Sequence, residues 1–111
     1  MKTVILITNK SDTFDFLKEI IGKAFQCSLV LDNRLTVEND EEHLFIDFDD
    51  SMKDDYDEPE IKDSDCHFYS VLFNSDAFVK QVLNVFSEFQ IRVDDDEGTI
   101  LPIKTFLAQL P

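Results

Sequence analysis

Glycine, proline and tryptophan are scarce in this sequence, which has two glycines, three prolines and no tryptophan in 111 residues. With glycine at positions 22 and 98 alone, few points of the backbone could approach a nucleotide phosphate closely. Glycine-rich phosphate loops, the G-x-S-x-G nucleophile motif and the H-E-x-x-H zinc motif are all missing from the sequence. We therefore predict no catalytic residues, no cofactor and no enzymatic activity.

Long apolar runs are missing as well. The run "VILIT" ends at Asn9, whereas a membrane-spanning helix needs about 20 apolar residues and a secretory segment about 7 to 15. Cysteine is also rare, and Cys27 and Cys66 suit free, buried thiols in a reducing compartment. We expect a cytoplasmic protein that does not enter a membrane.

Basic residues are outnumbered, since ten Lys and Arg face twenty-four Asp and Glu, for a formal net charge of −14. Such a chain repels phosphates, which argues against a nucleic-acid partner, and it also repels anionic membrane surfaces. A metal ion, a polyamine or a basic protein surface would be attracted instead.

Apolar residues make up 43% of the chain and include eleven phenylalanines. A chain of this length can bury roughly 65% of its unfolded surface without disulfides or metal. We expect a single domain over residues 1–111.

The first half of the sequence predicts a strand, a helix and three further strands. The run 3–8 is almost wholly β-branched or Leu, as in a buried strand. Ser11 suits a helix N-cap before an apolar stripe that starts at Phe14 and repeats every three or four residues. Residues 27–38 predict two strands about an Asp32-Asn33 turn, and 43–50 predict the third strand of this meander.

The second half predicts a strand over 66–75, a helix that Ser75 or Asp76 caps and that runs to Phe89, and a last strand with a turn at Gly98. Pro102 suits the first residue of a short C-terminal helix. The order β-α-β-β-β-β-α-β indicates an α+β fold. We expect a mixed or antiparallel sheet of about five to six strands with two amphipathic helices on one face.

The negative charge is concentrated in the middle of the chain. Residues 32–65 hold fifteen acidic and three basic residues, whereas the rest holds nine acidic and seven basic residues. Within this region, residues 49–65, the acidic segment, have no helix or strand period, and their large apolar residues are Met52, Tyr56 and Ile61. We predict a loop here, and loops of this length are usually functional or disordered.

A calcium loop is one interpretation of "DFDDSMKDDYDEPE", residues 47–60. Asp47, Asp49, Ser51 and Glu58 match positions 1, 3, 5 and 12 of an EF-hand loop. However, Met52 stands where that loop needs glycine, and the preceding residues alternate like a strand. His43, His67 and the two cysteines also lack zinc-site spacing. We predict no metal site.

A surface for a basic protein partner is the interpretation that we prefer. Carboxylates steer a basic partner into encounter, and aromatic side chains such as Tyr56 could then anchor it. The second acidic cluster, 94–97, could extend such a surface. The predicted partner-binding residues are Asp47, Asp49, Asp50, Asp54, Asp55, Tyr56, Asp57, Glu58 and Glu60.

In size, acidity, low glycine content and general layout, the whole chain resembles the small bacterial immunity proteins encoded beside toxins of contact-dependent inhibition and other polymorphic toxin systems. The resemblance implies a cytoplasmic, non-catalytic inhibitor that binds and neutralises a basic partner, such as a nuclease toxin domain. Two other interpretations stay open. One is a small regulatory or ligand-binding domain with a solubilising loop, and the other is a metal-dependent enzyme.

Overall fold

A computed structural model describes residues 1–62 and 64–110 as one antiparallel sheet with helices packed against it. The predicted α+β class is confirmed, and the sheet is antiparallel throughout. It has seven strands rather than five to six. The extra strand arises because the segment after residue 90, predicted as one strand, folds back on itself as a hairpin.

The strands are β1 (Lys2–Thr8), β2 (Gln26–Leu31), β3 (Arg34–Glu38), β4 (His43–Phe48), β5 (His67–Phe73), β6 (Arg92–Asp94) and β7 (Ile100–Pro102). The α-helices are α1 (Phe14–Gly22), α2 (Pro59–Lys62), α3 (Asp76–Leu83) and α4 (Ile103–Gln109). Two 3-10 helices cover Asp50–Asp55 and Asn84–Phe86.

The strand order across the sheet is β2-β3-β4-β5-β1-β6-β7. The predicted meander is confirmed in β2, β3 and β4, and β5 continues it before β1 inserts next to β5. Strand β1 is therefore interior, as its continuous apolar sequence predicts, with β5 on one side and β6 on the other.

The two faces of the sheet are covered differently. On the helical face, alternate residues such as Val4, Leu6 and Val71 pack against apolar residues of α1, α3 and α4. On the second face, Ile7 and Phe68 form a separate, smaller cluster with Tyr56 and Ile61. The period of two in β1 and β5 separates these two sets of side chains.

The helix starts agree only partly with the sequence-based expectations. Ser75 caps α3 as predicted, because its hydroxyl accepts a hydrogen bond from the Phe78 amide at 3.1 Å. The N-cap of α1 is Thr13 and not Ser11, since the Thr13 hydroxyl accepts from the Phe16 amide. The backbone oxygen of Asp12 is meanwhile tied to the sheet by the Tyr69 phenol at 2.8 Å. This tertiary contact holds the residue just before the Thr13 cap against the sheet.

Pro102 lies just before α4, as its N-cap, rather than within its first turn. Helix α3 ends at Leu83, and a 3-10 turn rather than a longer α-helix carries the chain on through Phe86. Over residues 1–62 and 64–110, no helix is both long and apolar enough to cross a bilayer.

Candidate functional site

The acidic segment is folded onto the second face of the sheet. In place of the predicted irregular loop it contains the 3-10 helix Asp50–Asp55 and α2; Asp63 lies outside the described residues. Tyr56 and Ile61 are 7% and 1% exposed, and they pack on Ile7 and Phe68. The rings of Tyr56 and Phe68 stack with centroids 5.4 Å apart. Few as they are, the large apolar residues of this segment attach it to the sheet.

Polar contacts at the start of the segment reinforce this attachment. The Asp49 amide donates to the Phe68 carbonyl oxygen at 3.0 Å, and the Phe68 amide donates to the Asp50 carboxylate at 3.1 Å. The second Asp50 oxygen lies 3.0 Å from Nδ1 of His67. The Asp49 carboxylate accepts from the Ser51 amide and so caps the 3-10 helix. Asp49 and Asp50 therefore hold their own segment in place.

A hydrogen bond between Tyr56 and Asp94 joins the segment to the second acidic cluster. The Tyr56 phenol donates to the Asp94 carboxylate at 2.6 Å. Burial raises the pKa of Tyr56 above its ordinary value, and the hydrogen bond to Asp94 and the charges of Asp94, Asp96 and Glu58 raise it further. Because the phenol stays protonated, it remains a donor to Asp94 at neutral pH.

The turn between β6 and β7 carries the second cluster. Asp96 has a positive φ of 63° and Gly98 one of 96°, values for which glycine and aspartate are better suited than bulkier residues. The Asp95 carboxylate accepts from the amides of Glu97 and Thr99. Asp96 and Glu97 are exposed. The turn is thus held by its own carboxylates, and two more carboxylates remain on its surface.

The exposed carboxylates of the two elements form what we call the acidic surface, which consists of Asp54, Asp55, Asp57, Glu58, Asp96 and Glu97. An open groove of about 220 Å³ runs between the elements, and Asp55, Asp57, Glu58 and Asp94 are among its lining residues. The hypothesis that 94–97 extends the first acidic cluster therefore has a structural basis, namely the contact between Tyr56 and Asp94.

Three of the predicted partner-binding residues contact strands of the sheet instead. Asp47 forms a two-armed ion pair with Arg34, its two oxygens each 2.7 Å from a guanidinium nitrogen. The hydrogen bond and charge of Asp47 raise the pKa of Arg34. Asp50 is bound to β5, and Tyr56 is buried against the sheet. Tyr56 therefore does not present its ring as an exposed anchor, because the second face of the sheet needs an apolar cover.

The other predicted residues, like Asp50, are exposed. Asp54, Asp55, Asp57 and Glu58 belong to the acidic surface, whereas Asp49 caps its own helix. Glu60 lines a different depression of about 340 Å³, in which Lys10 and Arg92 are its basic neighbours. No pattern in the sequence indicates this separation, because it depends on where α2 lies on the sheet.

In the part of the chain that the structure describes, no group of three or more His, Cys, Asp or Glu side chains is placed to hold a metal ion. Asp47 and Asp49, two of the four residues that match the EF-hand pattern, have their carboxylates bound to Arg34 and to the Ser51 amide. Cys27 and Cys66 are free thiols, each half-buried.

No protein-family model, curated protein or solved structure matches this chain.

Proposed function

We propose that this chain is an immunity-type inhibitor that binds and neutralises a basic protein partner, a toxin domain such as a nuclease, through the acidic surface. The observation that carries the proposal is the hydrogen bond between Tyr56 and Asp94, 2.6 Å long, which joins two acidic elements 38 residues apart in sequence. It gathers carboxylates from both into one field of negative charge.

Pre-organisation supports this function. Carboxylates on a disordered loop would have to be ordered upon binding, at a cost of about 0.5–1.5 kcal/mol for each immobilised side chain plus that of the backbone. Here the backbone of residues 49–62 is already held by Tyr56, Ile61 and the contacts of Asp50 with β5. The charges can therefore meet a rigid cationic surface without refolding.

Electrostatics also support it. A concentrated patch of one sign raises the rate of encounter with a partner of the opposite sign and disfavours partners of the same sign. In a nuclease, Lys and Arg side chains hold the phosphates of the substrate. Carboxylates that pair with those side chains would cover the substrate site, and inhibition would then need no chemistry from this chain.

The experiment compares two variants in which the same number of charges is removed. The first removes four of the six carboxylates of the acidic surface, as Asp54→Asn, Asp55→Asn, Asp57→Asn and Glu58→Gln, and leaves Tyr56 and Ile61 intact. The matched control removes four exposed or half-exposed carboxylates elsewhere, as Glu19→Gln, Asp40→Asn, Glu41→Gln and Glu42→Gln. Each protein is used to capture partners from the producing strain, which are identified by mass spectrometry and then purified.

We expect the wild type and the control to capture a basic protein and to inhibit its activity, and the acidic-surface variant to bind it at least about tenfold more weakly. Raising the salt from about 50 to about 300 mM should weaken wild-type binding, because the Debye length falls from about 14 to about 6 Å. Equal binding by both variants would contradict the proposal.

A second candidate function is a regulatory or ligand-binding domain in which the acidic segment has no partner. The observation that favours it is that Tyr56 and Ile61 cover Ile7 and Phe68, which gives the segment a structural purpose of its own. In that case the acidic-surface variant keeps its function, and only variants at the buried residues lose it.

A further inference from the structure

The two edges of the sheet differ in how they are protected. At one edge, β7 has three residues, ends in Pro102 and is followed directly by α4. Short length and proline are two of the ways in which proteins prevent an edge strand from pairing with another chain. At the other edge, β2 has six residues, "QCSLVL", with neither proline nor any charged residue.

The apolar residues of β2 are also unusually exposed. Leu29, Val30 and Leu31 are 46%, 61% and 60% exposed. Among the residues that the structure describes, Met1 is the other large apolar residue with a comparably exposed side chain. The pairing with β3 shifts between Leu29 and Leu31, so that Leu29 lies opposite Leu35 and Leu31 opposite Arg34. The irregularity therefore directs these apolar side chains towards both faces of the sheet.

We propose that β2 pairs with β2 of a second copy of this chain, in antiparallel orientation about a twofold axis near Ser28, to form one continuous sheet. A charge-free strand has nothing with which to select a basic partner. A second copy, by contrast, presents the same apolar, charge-free strand. The unpaired backbone groups of the two edges would satisfy each other, and the exposed side chains of β2 would pack against their counterparts.

The charges at the ends of β2 are compatible with this arrangement. Lys23 precedes the strand and Asp32 follows it. Antiparallel pairing about Ser28 places the Lys23 end of one copy beside the Asp32 end of the other. A parallel pairing would instead bring the two Asp32 side chains together, so the charge pattern favours the antiparallel form.

Much of the net charge of −14 lies away from this edge. The acidic segment covers Ile7 of β1 and Phe68 of β5, which lie four and three strands away from β2, respectively. At about 4.8 Å per strand, the segment lies roughly 15 to 20 Å from the edge, so the two segments of a dimer are roughly 35 Å or more apart. The Debye length at physiological salt is about 8 Å, so the repulsion between them is largely screened.

The dimer would leave both acidic surfaces exposed, because they lie away from β2. Its interface depends on one strand from each copy and is therefore at the small end of the range for specific contacts. We expect a reversible dimer that forms at micromolar to submillimolar concentration and is missed in dilute samples.

The first test is sedimentation of the wild-type chain between about 5 and about 500 µM, concentrations that span the expected dissociation constant of a small interface. The proposal predicts a rise in mass from monomer to dimer. It is compared with Val30→Lys, which places a cation on the edge, and with the control Thr105→Lys on α4, which adds the same charge at an exposed position elsewhere.

Any added lysine lowers the net negative charge, so a general repulsion would be relieved equally in both variants. Loss of the dimer in Val30→Lys alone, by at least about tenfold in dissociation constant, places the contact at β2. A wild-type chain that stays monomeric at the highest concentration overturns the proposal, as does a Val30→Lys variant that dimerises as well as the control.

Hydrogen exchange of the wild type gives a second reading that does not depend on a variant's ability to fold. Amide protection in residues 26–31 should rise with protein concentration, while protection in α3 should not change. Protection of β2 that is independent of concentration would contradict pairing with a second copy.

Discussion

The two faces of the sheet are covered by different kinds of chain segment. On the helical face, three amphipathic helices bury large apolar residues such as Phe78, Val82 and Phe106 against β1 and β5. On the second face, a segment rich in Asp and Glu covers the sheet with Tyr56 and Ile61. The helical face derives its stability from many contacts, whereas the second face depends on a few.

This difference shows how an acidic segment can be both structural and available for binding. Its apolar side chains point into the sheet, while the carboxylates of Asp54, Asp55, Asp57 and Glu58 stay in water. A cover of this kind needs little hydrophobic material because it is short and is tied to the Phe68 backbone of β5 by the Asp49 amide and the Asp50 carboxylate. We expect it to open more readily than the helical face.

The largest effect should come from the helical face. Phe78 is 1% exposed and belongs to the main core. Phe78→Ala should lower the free energy of unfolding by about 3–5 kcal/mol, because it removes a buried ring and leaves a cavity. Urea unfolding followed by circular dichroism measures this. A loss under about 1 kcal/mol would mean that the helical face is not the dominant core.

A smaller and more local effect should come from the second face. Ile61→Ala removes a side chain that is 1% exposed in the smaller cluster, and we expect a loss of about 2–3 kcal/mol. Much of it should appear as opening of residues 50–62 without unfolding of the sheet. Hydrogen exchange by mass spectrometry can compare this segment with α3. Equal deprotection of both would show that the two faces unfold as one unit.

The smallest effect concerns alkaline pH, where each face contributes one tyrosine. Burial raises the pKa of Tyr69, and the charges of Asp50 and Asp12 raise it further. The pKa of Tyr56 is raised by burial and then by its hydrogen bond to Asp94. Well below pH 10 both phenols are protonated in the folded and unfolded states alike. Above it the unfolded state loses these protons first, so stability falls by up to about 1.4 kcal/mol per pH unit for each tyrosine.

Urea unfolding at pH 9, 10 and 11 separates the two contributions. Tyr56→Phe and Tyr69→Phe should each make the alkaline decline shallower than in the wild type, and the double variant should be the flattest. Lysines also titrate in this range, but they are unchanged in all of these proteins and cancel in the comparison. A decline that is unaffected by either substitution would show that the phenols are not responsible.

Local patterns in the sequence predicted most of the fold. The alternation in β4, the continuous apolar run of β1 and the helical stripes of α1 and α3 each gave the correct element, because burial on one face or both leaves a direct periodic trace. The hairpin about Asp32-Asn33 and the Ser75 cap were correct for the same local reason. The start of α1 was wrong by two residues: Thr13 is the cap, and a tertiary contact with Tyr69 holds Asp12 just before it.

The acidic segment was harder to predict because its apolar residues have no period. Met52, Tyr56 and Ile61 were its large apolar members, and all three pack in the smaller cluster. Three large apolar residues, spaced four and five apart in a charged segment, thus indicated that the segment packs against the sheet. The ion pair between Asp47 and Arg34 was also within reach, because the two residues lie directly opposite each other on adjacent strands.

Composition and periodicity determined the α+β class, the amphipathic helices and the central concentration of negative charge, since these are properties of neighbouring residues. Tertiary structure decided the strand order, the burial of Tyr56, the union of two acidic clusters through Asp94 and the exposure of β2 at the edge. Each of these depends on which segments that are distant in sequence come into contact. The free energy of such contacts is shared among many residues, so no single stretch of sequence determines it.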